Sequence, residues 1–329
     1  MVLPNNKKMS MLCILYVLRE FSDEMHPLTQ SDIINKIENI YGLELERKSI
    51  SVNLDSLKDF GFDINKTDKG CFLGQREFEP SEISFLIDAV FSSKSIDSKR
   101  SRELASKLSK FLSKNQRKKY NYICKADEIV RTDNKQLFYT IDVLNEAIEK
   151  GKQVEFNYHR FYVDKQKNKE KSQKKYIINP YFLINNQGKY YLVCNYDYYN
   201  EIANYKVELI SNIKILQSDV KPINKLNGCE NGVDMAKYAN ENIYMFHNKT
   251  INAKLKIYDE YSAEYIVEWF GKNVKFSQKD GVVFADVKAN EQALIYWCLQ
   301  YGETIELVSP VDTREKIKEK IKKIREIYN

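Results

Sequence analysis

Proline, glycine and histidine are all scarce in this chain of 329 residues, which contains 6, 11 and 3 of them, respectively. No glycine-rich loop of the kind that cradles a phosphate group occurs. No apolar run reaches the roughly 18 residues that a membrane-spanning helix requires. The sequence therefore gives no support to a P-loop enzyme, and we expect no membrane partner.

The cysteines are too widely spaced for a zinc site. There are six, and the two nearest in sequence, Cys194 and Cys229, are 35 positions apart. Structural zinc ligands usually come in pairs separated by two to four residues. We therefore expect buried free thiols, with no metal and no cofactor. The apolar stretch after Lys7 and Lys8 lacks a small-residue cleavage site, which predicts a buried first helix and a cytoplasmic protein.

Catalytic residues are equally hard to find. None of the three histidines, His26, His159 and His247, has a serine or cysteine motif beside it that would make a nucleophile and base pair. We therefore expect no catalytic residues and no enzymatic activity.

The overall composition is that of a folded protein with several domains. Hydrophobic residues make up 43% and aromatic residues 12% of the chain, which excludes a disordered protein. Lys and Arg outnumber Asp and Glu by 52 to 46, and this slight excess favours a polyanionic partner only weakly. The positions of prolines, glycines and turn residues between periodic segments predict an α+β multidomain chain with four regions: 1–76, 77–133, 134–222 and 223–329.

The first region has the pattern of a winged helix-turn-helix. Residues 9–21 read as a helix, and a second helix and a third follow with apolar residues at helical spacing. Two short apolar segments then flank the turn Asp68-Lys69-Gly70, which indicates a hairpin. Three helices followed by a two-stranded wing are typical of a protein that reads the major groove of duplex DNA.

Polar side chains are left on the outer faces of this predicted unit. They suit contacts with phosphates and base edges, although a small helical domain with a solvated polar face would leave the same pattern. Ser49 could instead be a packing or capping residue. The candidate DNA-binding residues are Thr29, Gln30, Arg47, Lys48, Ser49, Ser51, Asn53, Lys66 and Lys69.

The remaining regions differ in composition. Residues 77–133 read as a helical linker, with a basic connector at 116–120. Region 134–222 has a leading helix and then strands, with a lysine-rich loop at 165–175 and eight of the 23 tyrosines between Tyr176 and Tyr205. Strands are predicted at 176–184, 189–196, 205–210 and 213–216. Region 223–329 has the order strand, helix, strand, strand, helix, strand, which predicts a ferredoxin-like domain.

The third helix resembles the recognition helix of DeoR-type bacterial regulators over residues 47–61. Ser49, Ile50 and Leu54 fit the family pattern of arginine, threonine, hydrophobic, arginine, arginine, aspartate, leucine. Ser51, Val52 and Asn53 depart from it. This helix therefore lacks the two consecutive arginines of the family pattern.

Region 134–222 resembles a WYL domain, named for tryptophan-tyrosine-leucine. The residues Tyr190-Tyr191-Leu192-Val193, after Gly188-Lys189, carry the resemblance, with Tyr190 in place of the tryptophan. Segments 147–151, 154–160, 179–181 and 205–210 are similar to further parts of the family pattern. The resemblance implies an Sm-like, SH3-like β-barrel that senses a ligand, in some members a nucleic acid. It also implies that region 223–329 is the family's C-terminal extension, which packs in dimers.

The tyrosines and nearby basic residues of this barrel are the predicted sensor. Stacking on aromatic rings together with charge would suit a nucleotide or a single-stranded nucleic acid. Tyrosines that alternate along strands could equally fill the barrel core, and the lysine-rich loop could be solvated. The candidate ligand-binding residues are Tyr158, His159, Arg160, Tyr181, Tyr191 and Lys206.

Together these features predict a DNA-binding transcriptional regulator that acts as a homodimer on double-stranded DNA. A second hypothesis is an RNA or single-strand binding module with no role in transcription. A third, a nucleic-acid-processing enzyme, lacks an identifiable active site.

Overall fold

The computed structural model describes residues 9–119, 134–162, 170–246, 249–272 and 274–329. The chain divides into two compact units, Met1–Lys135 and Gln136–Asn329. The first unit is mainly helical, and the second contains a five-stranded and a four-stranded antiparallel sheet. The predicted mixed α+β chain, with helices at its N-terminus, is therefore confirmed.

Three helices open the first unit: α1 Ser10–Phe21, α2 Gln30–Tyr41 and α3 Arg47–Asp59. The Thr29 hydroxyl accepts a hydrogen bond from the N–H of Asp32, whose carboxylate accepts one from the Thr29 N–H. This capping box satisfies two backbone donors at the start of α2. The helices turn their apolar faces inward to a shared core of Ile14, Val17, Leu18, Ile33, Ile37, Ile50, Leu54 and Leu57.

A hairpin of β1 Ile64–Thr67 and β2 Gly70–Leu73 follows α3. Two backbone hydrogen bonds of 2.8 Å join Cys71 in β2 to Leu28, just before α2. Gly70 has a φ of +136°, and a Cβ at this position would lie 2.3 Å from the Leu28 carbonyl oxygen. Only glycine fits this close approach, which holds the hairpin against the start of α2.

Three further helices follow among the described residues of the first unit: α4 Pro80–Ser92, α5 Ser98–Ser109 and α6 Lys114–Lys119. Asp97 caps α5 by accepting a hydrogen bond of 3.1 Å from the Arg100 N–H. The prediction of a connector at 116–120 is wrong for 116–119, which lie in α6. This short helix has little apolar periodicity, and it is held in place by contacts with α1 that include the Arg117–Glu20 ion pair.

The second unit begins with α7 Leu137–Glu149 and a five-stranded sheet. The sheet order is β6-β5-β4-β3-β7. The strands are β3 Lys152–Tyr162, β4 Glu170–Asn186, β5 Lys189–Asn195, β6 Ala203–Lys206 and β7 Ile210–Asp219.

Two predictions about this sheet are partly wrong. Residues 170–175 of the predicted loop lie in β4 and pair with residues 157–162 of β3, because strands pair through backbone groups and a lysine-rich sequence does not prevent this. Residues 163–169 lie outside the described part of the chain. Val207–Leu209, predicted as strand, forms a 3-10 turn instead. This turn connects β6 and β7, which lie at opposite edges of the sheet order.

The sheet curls back on itself. In a flat sheet β6 and β3 would be three strand spacings apart, or about 14 Å. The ring centroids of Tyr205 in β6 and Tyr158 in β3 are nevertheless only 4.7 Å apart. The Lys206 N–H also lies 3.4 Å from the Tyr158 hydroxyl. The curled sheet therefore encloses an aromatic interior.

The C-terminal part of the second unit has a four-stranded sheet of order β11-β8-β10-β9. Its core surrounds Trp297, which is fully buried. The elements are α8 Met235–Glu241, β8 Thr250–Ile257, α9 Ser262–Phe270, β9 Lys275–Lys279, β10 Val282–Asn290, α10 Glu291–Gln300, β11 Ile305–Ser309 and α11 Val311–Tyr328.

The described residues contain neither a candidate membrane span nor a candidate metal site. No helix there combines the length and apolar character needed to cross a membrane. No group of three or more His, Cys, Asp or Glu side chains could hold a metal ion within those residues. The five described cysteines are buried and form no disulfide, and Cys124 lies outside the described residues.

Replacing Glu291 by alanine should destabilise the C-terminal part by about 2–3 kcal/mol, because it removes charge-assisted hydrogen bonds from a buried site. The Glu291 side chain is 3% exposed, and one of its oxygens accepts from the Thr313 hydroxyl at 2.8 Å and the Lys316 ammonium at 2.9 Å. Urea unfolding followed by tryptophan fluorescence measures the change, since both tryptophans, Trp269 and Trp297, pack in this core.

The matched control is Glu315→Ala, which breaks an exposed pair with Lys318 and should change stability by less than about 1 kcal/mol. Burial alone would raise the pKa of Glu291, but the bonds from Lys316 and Thr313 hold it below its ordinary value. Its contribution should therefore be complete above the ordinary glutamate pKa of about 4.3 and be lost as the pH falls through the lower folded pKa. Equal losses for both variants would contradict this prediction.

Candidate functional sites

α3 presents a polar face away from the core. Ile50, Leu54 and Leu57 are at most 2% exposed, so the helix is fixed by its apolar side. Arg47 and Lys48 are exposed on the first turn, while Ser49, Ser51 and Asn53 are half-buried. Val52 is 58% exposed and occupies the middle of the outer face. The helix can therefore meet a partner with its first turn and one apolar side chain.

The first turns of α2 and α3 lie side by side. The Arg47 guanidinium donates a hydrogen bond of 3.1 Å to the Ser31 hydroxyl, which lies in the first turn of α2. This contact brings Arg47 near Thr29 and Gln30, as the DNA-binding prediction requires. The Thr29 hydroxyl also serves as the helix cap, since it accepts a hydrogen bond of 3.1 Å from the Asp32 N–H. The hydrogen bond to Ser31 thus holds the Arg47 side chain at the start of α2.

Several predicted DNA-binding side chains already have intramolecular partners. The Asn53 amide donates to the Ser49 carbonyl oxygen at 2.7 Å. Lys66 of β1 forms an ion pair of 2.7 Å with Asp55 of α3, which ties the hairpin to the helix. Lys69 lies exposed in the hairpin turn. The sequence could not reveal the Lys66–Asp55 pair, because the two residues belong to different elements.

The second unit contains a pocket of about 320 Å³ at the end of the curled sheet. This volume is at the lower end of the range for small-molecule sites. The wall comes from β3, β5, β6, the turn between β4 and β5, and the segment after α8. The lining residues are Tyr158, Asn186, Gln187, Lys189, Tyr191, Asn204, Lys206, Ile243, Tyr244, Met245 and Phe246.

The structure brings together three of the six predicted ligand-binding residues: Tyr158, Tyr191 and Lys206. Tyr191 of β5 pairs with Lys206 of β6, so their side chains share one side of the sheet. Tyr158 and Tyr191 are 8% and 9% exposed, so each offers only an edge to the pocket. Burial, and less strongly the charge of Glu208, raise the pKa of Tyr191, which therefore enters the pocket as a neutral hydroxyl.

The other three predicted residues lie elsewhere. The His159 imidazole is 2.6 Å from the Ser211 hydroxyl, on the opposite side of β3 from Tyr158. The Tyr181 hydroxyl lies 3.0 Å from the Asn195 side-chain oxygen and 2.9 Å from the Lys221 carbonyl, and burial raises its pKa. Arg160 belongs to β3, but its side chain lies outside the described residues.

Besides Asn186 and Gln187, the polar pocket residues that sequence reasoning missed are Lys189 and Asn204. Each lies two positions from a predicted residue on the same strand, since Lys189 precedes Tyr191 and Asn204 precedes Lys206. The period-two pattern of a strand could have found both. Asn204 donates to the Met245 carbonyl oxygen at 3.2 Å and accepts from the Tyr238 hydroxyl at 3.0 Å.

Many of the tyrosines fill the interior of the sheet rather than a binding site. Phe156 is fully buried, with its ring centroid 5.4 Å from that of Tyr205 and 6.0 Å from that of Tyr176. The hydroxyls of Tyr196 and Tyr205 contact each other. The alternative that tyrosines form a core therefore holds for this cluster, and the pocket lies at its edge.

Comparison with known protein families identifies two domains. The chain contains a WYL domain, matched over residues 139–215, and a WCX domain, matched over residues 249–325. The WYL domain predicted from the tyrosine motif is thus confirmed. The pocket lining from Tyr158 to Lys206 falls within this domain, and the segment after α8 lies between the two domains.

Similar solved structures include the proteasome accessory factor B/C (PafBC) of Arthrobacter aurescens and a CRISPR Cas-related protein. The first is 12% identical over 97% of this chain, with a TM-score of 0.29. This chain spans about half of it, 48% of its length. The second is 15% identical over 98% of this chain and 85% of its own, with a TM-score of 0.36. No curated protein matches the sequence.

Proposed function

We propose that this chain is a DNA-binding transcriptional regulator, with a winged helix-turn-helix that reads duplex DNA and a WYL domain that senses a ligand. The observation that carries the proposal is the outward face of α3, which lies beside the start of α2 and the β1–β2 hairpin in one compact unit. A helix so placed can enter the major groove while the hairpin approaches the neighbouring backbone. Arg47 and Lys48 would then contact phosphates or base edges.

The second unit would supply sensing and assembly. In this proposal the curled sheet β3–β7 is an Sm-like barrel, and the elements from β8 to β11 form a ferredoxin-like domain that holds two chains together. A homodimer would place two copies of α3 at the half-sites of an inverted repeat. A ligand would change DNA affinity by favouring one arrangement of the two winged units. The chain would need no catalytic residues for this role.

Footprinting on the DNA upstream of the protein's own gene tests the proposal directly. We expect protection of two half-sites, with affinity falling steeply as salt rises from about 50 to 200 mM. A scrambled duplex of equal length and composition is the control for sequence preference. The absence of protection at every salt concentration would refute a role as a DNA-binding regulator.

Competition with single strands separates the second hypothesis from the first. Unlabelled single-stranded DNA and RNA are added to the complex of the full chain with labelled duplex. A regulator should retain the duplex against an equal concentration of single strands. A module for single-stranded nucleic acid would instead lose it, and would keep its single-strand binding when Arg47 and Lys48 are replaced.

Replacing Lys189 and Lys206 together by alanine should weaken binding of an anionic ligand at the WYL pocket by about tenfold, since two cations leave the pocket wall. The probe is a fluorescein-labelled oligothymidylate of about ten nucleotides, which offers both phosphates and bases for stacking. Fluorescence anisotropy measures its affinity for the full chain.

The matched control replaces Lys214 and Lys225, two exposed lysines outside the pocket, and removes the same total charge. We expect this control to bind the probe within about twofold of the unaltered chain, because screened surface charges act weakly at a distance. Equal weakening in both variants would show that the probe responds only to net charge.

A further inference from the structure

Four lysines from three separate segments of the first unit line one surface hollow of about 480 Å³. Lys36 belongs to α2, Lys69 to the turn between β1 and β2, and Lys114 and Lys118 to α6. The hollow also includes Phe21, Met25, His26, Pro27, Leu28 and Asn115. We call the four lysines and the hollow between them the lysine cradle.

α6 is anchored to the end of α1 and to the residues just after it, so its lysines have a defined place. The Ser113 hydroxyl, just before α6, donates to the Asp23 carboxylate at 2.6 Å. Asp23 is 7% exposed and also bonds the His26 imidazole at 2.7 Å. Arg117 forms an ion pair with Glu20 of α1. These contacts turn one side of α6 toward α1.

The same anchoring directs Lys114 and Lys118 into the hollow. They are four positions apart, so they lie on one face of the helix, next to each other. The Lys114 ammonium lies 5.6 Å from the centroid of the Phe21 ring, and the Lys36 ammonium lies 4.4 Å from it. Two cations thus share one aromatic ring, which holds them near each other despite their repulsion.

No carboxylate lines the cradle among the residues that the structure describes. None of the four lysines forms an ion pair there, whereas nearby acids are occupied: Glu20 by Arg117 and Asp23 by Ser113 and His26. Asp32 accepts hydrogen bonds from Thr29, although its charge also acts on Lys36. Cations that converge without ion-pair partners are favourable for binding a polyanion, since each phosphate contact releases a condensed counterion.

The cradle is continuous with the surface proposed to read DNA. Lys69 belongs both to the cradle and to the hairpin, and the hairpin is bonded to Leu28 at the start of α2. That start in turn contacts the first turn of α3 through Ser31 and Arg47. A duplex that meets α3 and the hairpin turn would therefore come next to the cradle at Lys69.

We propose that the lysine cradle binds the phosphate backbone of duplex DNA beside the segment that α3 reads. This inference rests on the proposed function and adds α6 to its DNA-binding surface. A duplex is favoured over a small anion because the four ammonium groups come from three elements around an open hollow. A row of phosphates can satisfy several of them at once, and the contact carries no base sequence.

The test replaces Lys114 and Lys118 by alanine in the full chain. Anisotropy titrations should show that the affinity falls roughly tenfold for both the upstream duplex and a scrambled duplex. The slope of log affinity against log salt should fall by about 1.8, the value for two lost phosphate contacts. The ratio of the affinities for the two duplexes should stay unchanged, and the footprint should shorten on one side.

The matched control replaces Lys107 and Lys110, which are exposed on and just after α5 and lie outside the hollow. It removes the same charge and should leave the salt slope as it was. If the salt slope were equally unchanged in Lys114→Ala/Lys118→Ala, DNA binding by the lysine cradle would be refuted. The proposed function as a DNA-binding regulator would not be affected. Failure of the unaltered chain to bind either duplex would instead overturn the proposed function itself.

Discussion

Replacing Arg47 and Lys48 together by alanine should lower the affinity for the specific duplex by roughly 100-fold, or about 2.7 kcal/mol. Both side chains are exposed at the first turn of α3, where a recognition helix meets phosphates and base edges. Removing them deletes two cations from the centre of the proposed interface. Anisotropy or gel-shift titration of the full chain measures the loss.

The loss should be larger for the specific duplex than for a scrambled one, because contacts to base edges carry sequence preference. This outcome distinguishes α3 from the lysine cradle, because replacing the cradle lysines should lower the affinity equally for every DNA sequence. Ser31→Ala controls for structure, since it removes the hydrogen bond to Arg47 but keeps both cations. If Ser31→Ala weakened binding as much as the double replacement, loss of local structure would explain the result.

Replacing Phe156 by alanine should destabilise the WYL domain by about 3–5 kcal/mol, the usual cost of removing a buried aromatic side chain. Phe156 is fully buried at the centre of the curled sheet, against Tyr158, Tyr176 and Tyr205. The cavity left behind cannot close without moving strands that are hydrogen-bonded on both sides. Near-ultraviolet circular dichroism during urea unfolding follows the loss of aromatic packing, to which the cluster around Phe156 contributes.

The same replacement should also weaken ligand binding at the pocket, because Tyr158 forms part of the pocket wall and packs on Phe156. Tyr198→Ala is the matched control, since Tyr198 is 96% exposed and should contribute less than about 0.5 kcal/mol. A loss for Phe156→Ala of less than about 1 kcal/mol would show that the aromatic cluster is not the core of this domain.

Local sequence patterns predicted most of the elements. The spacing of Ile50, Leu54 and Leu57 indicated one buried face of a helix, and the structure buries all three. Thr29 and Asp97, whose residue types favour helix N-caps, cap α2 and α5. These features depend on contacts within about four residues, which a linear sequence contains in full.

The missed elements depend on contacts between distant residues. Residues 170–175 looked like a solvated loop, yet they form a strand because β3 pairs with their backbone. α6 looked like a connector because it has few apolar residues. Ser113 and Arg117 nevertheless fix it to Asp23 and Glu20, which lie 90 and 97 positions away.

The candidate sites divide in the same way. Residue types and periods were enough to identify a polar helix face, a tyrosine-rich sheet and the WYL motif, because each repeats within a single element. Which tyrosines are core and which border a pocket was decided only when the sheet curled and set β6 against β3. The lysine cradle likewise exists only in three dimensions, since electrostatic interactions depend on distance in space and not on separation along the chain.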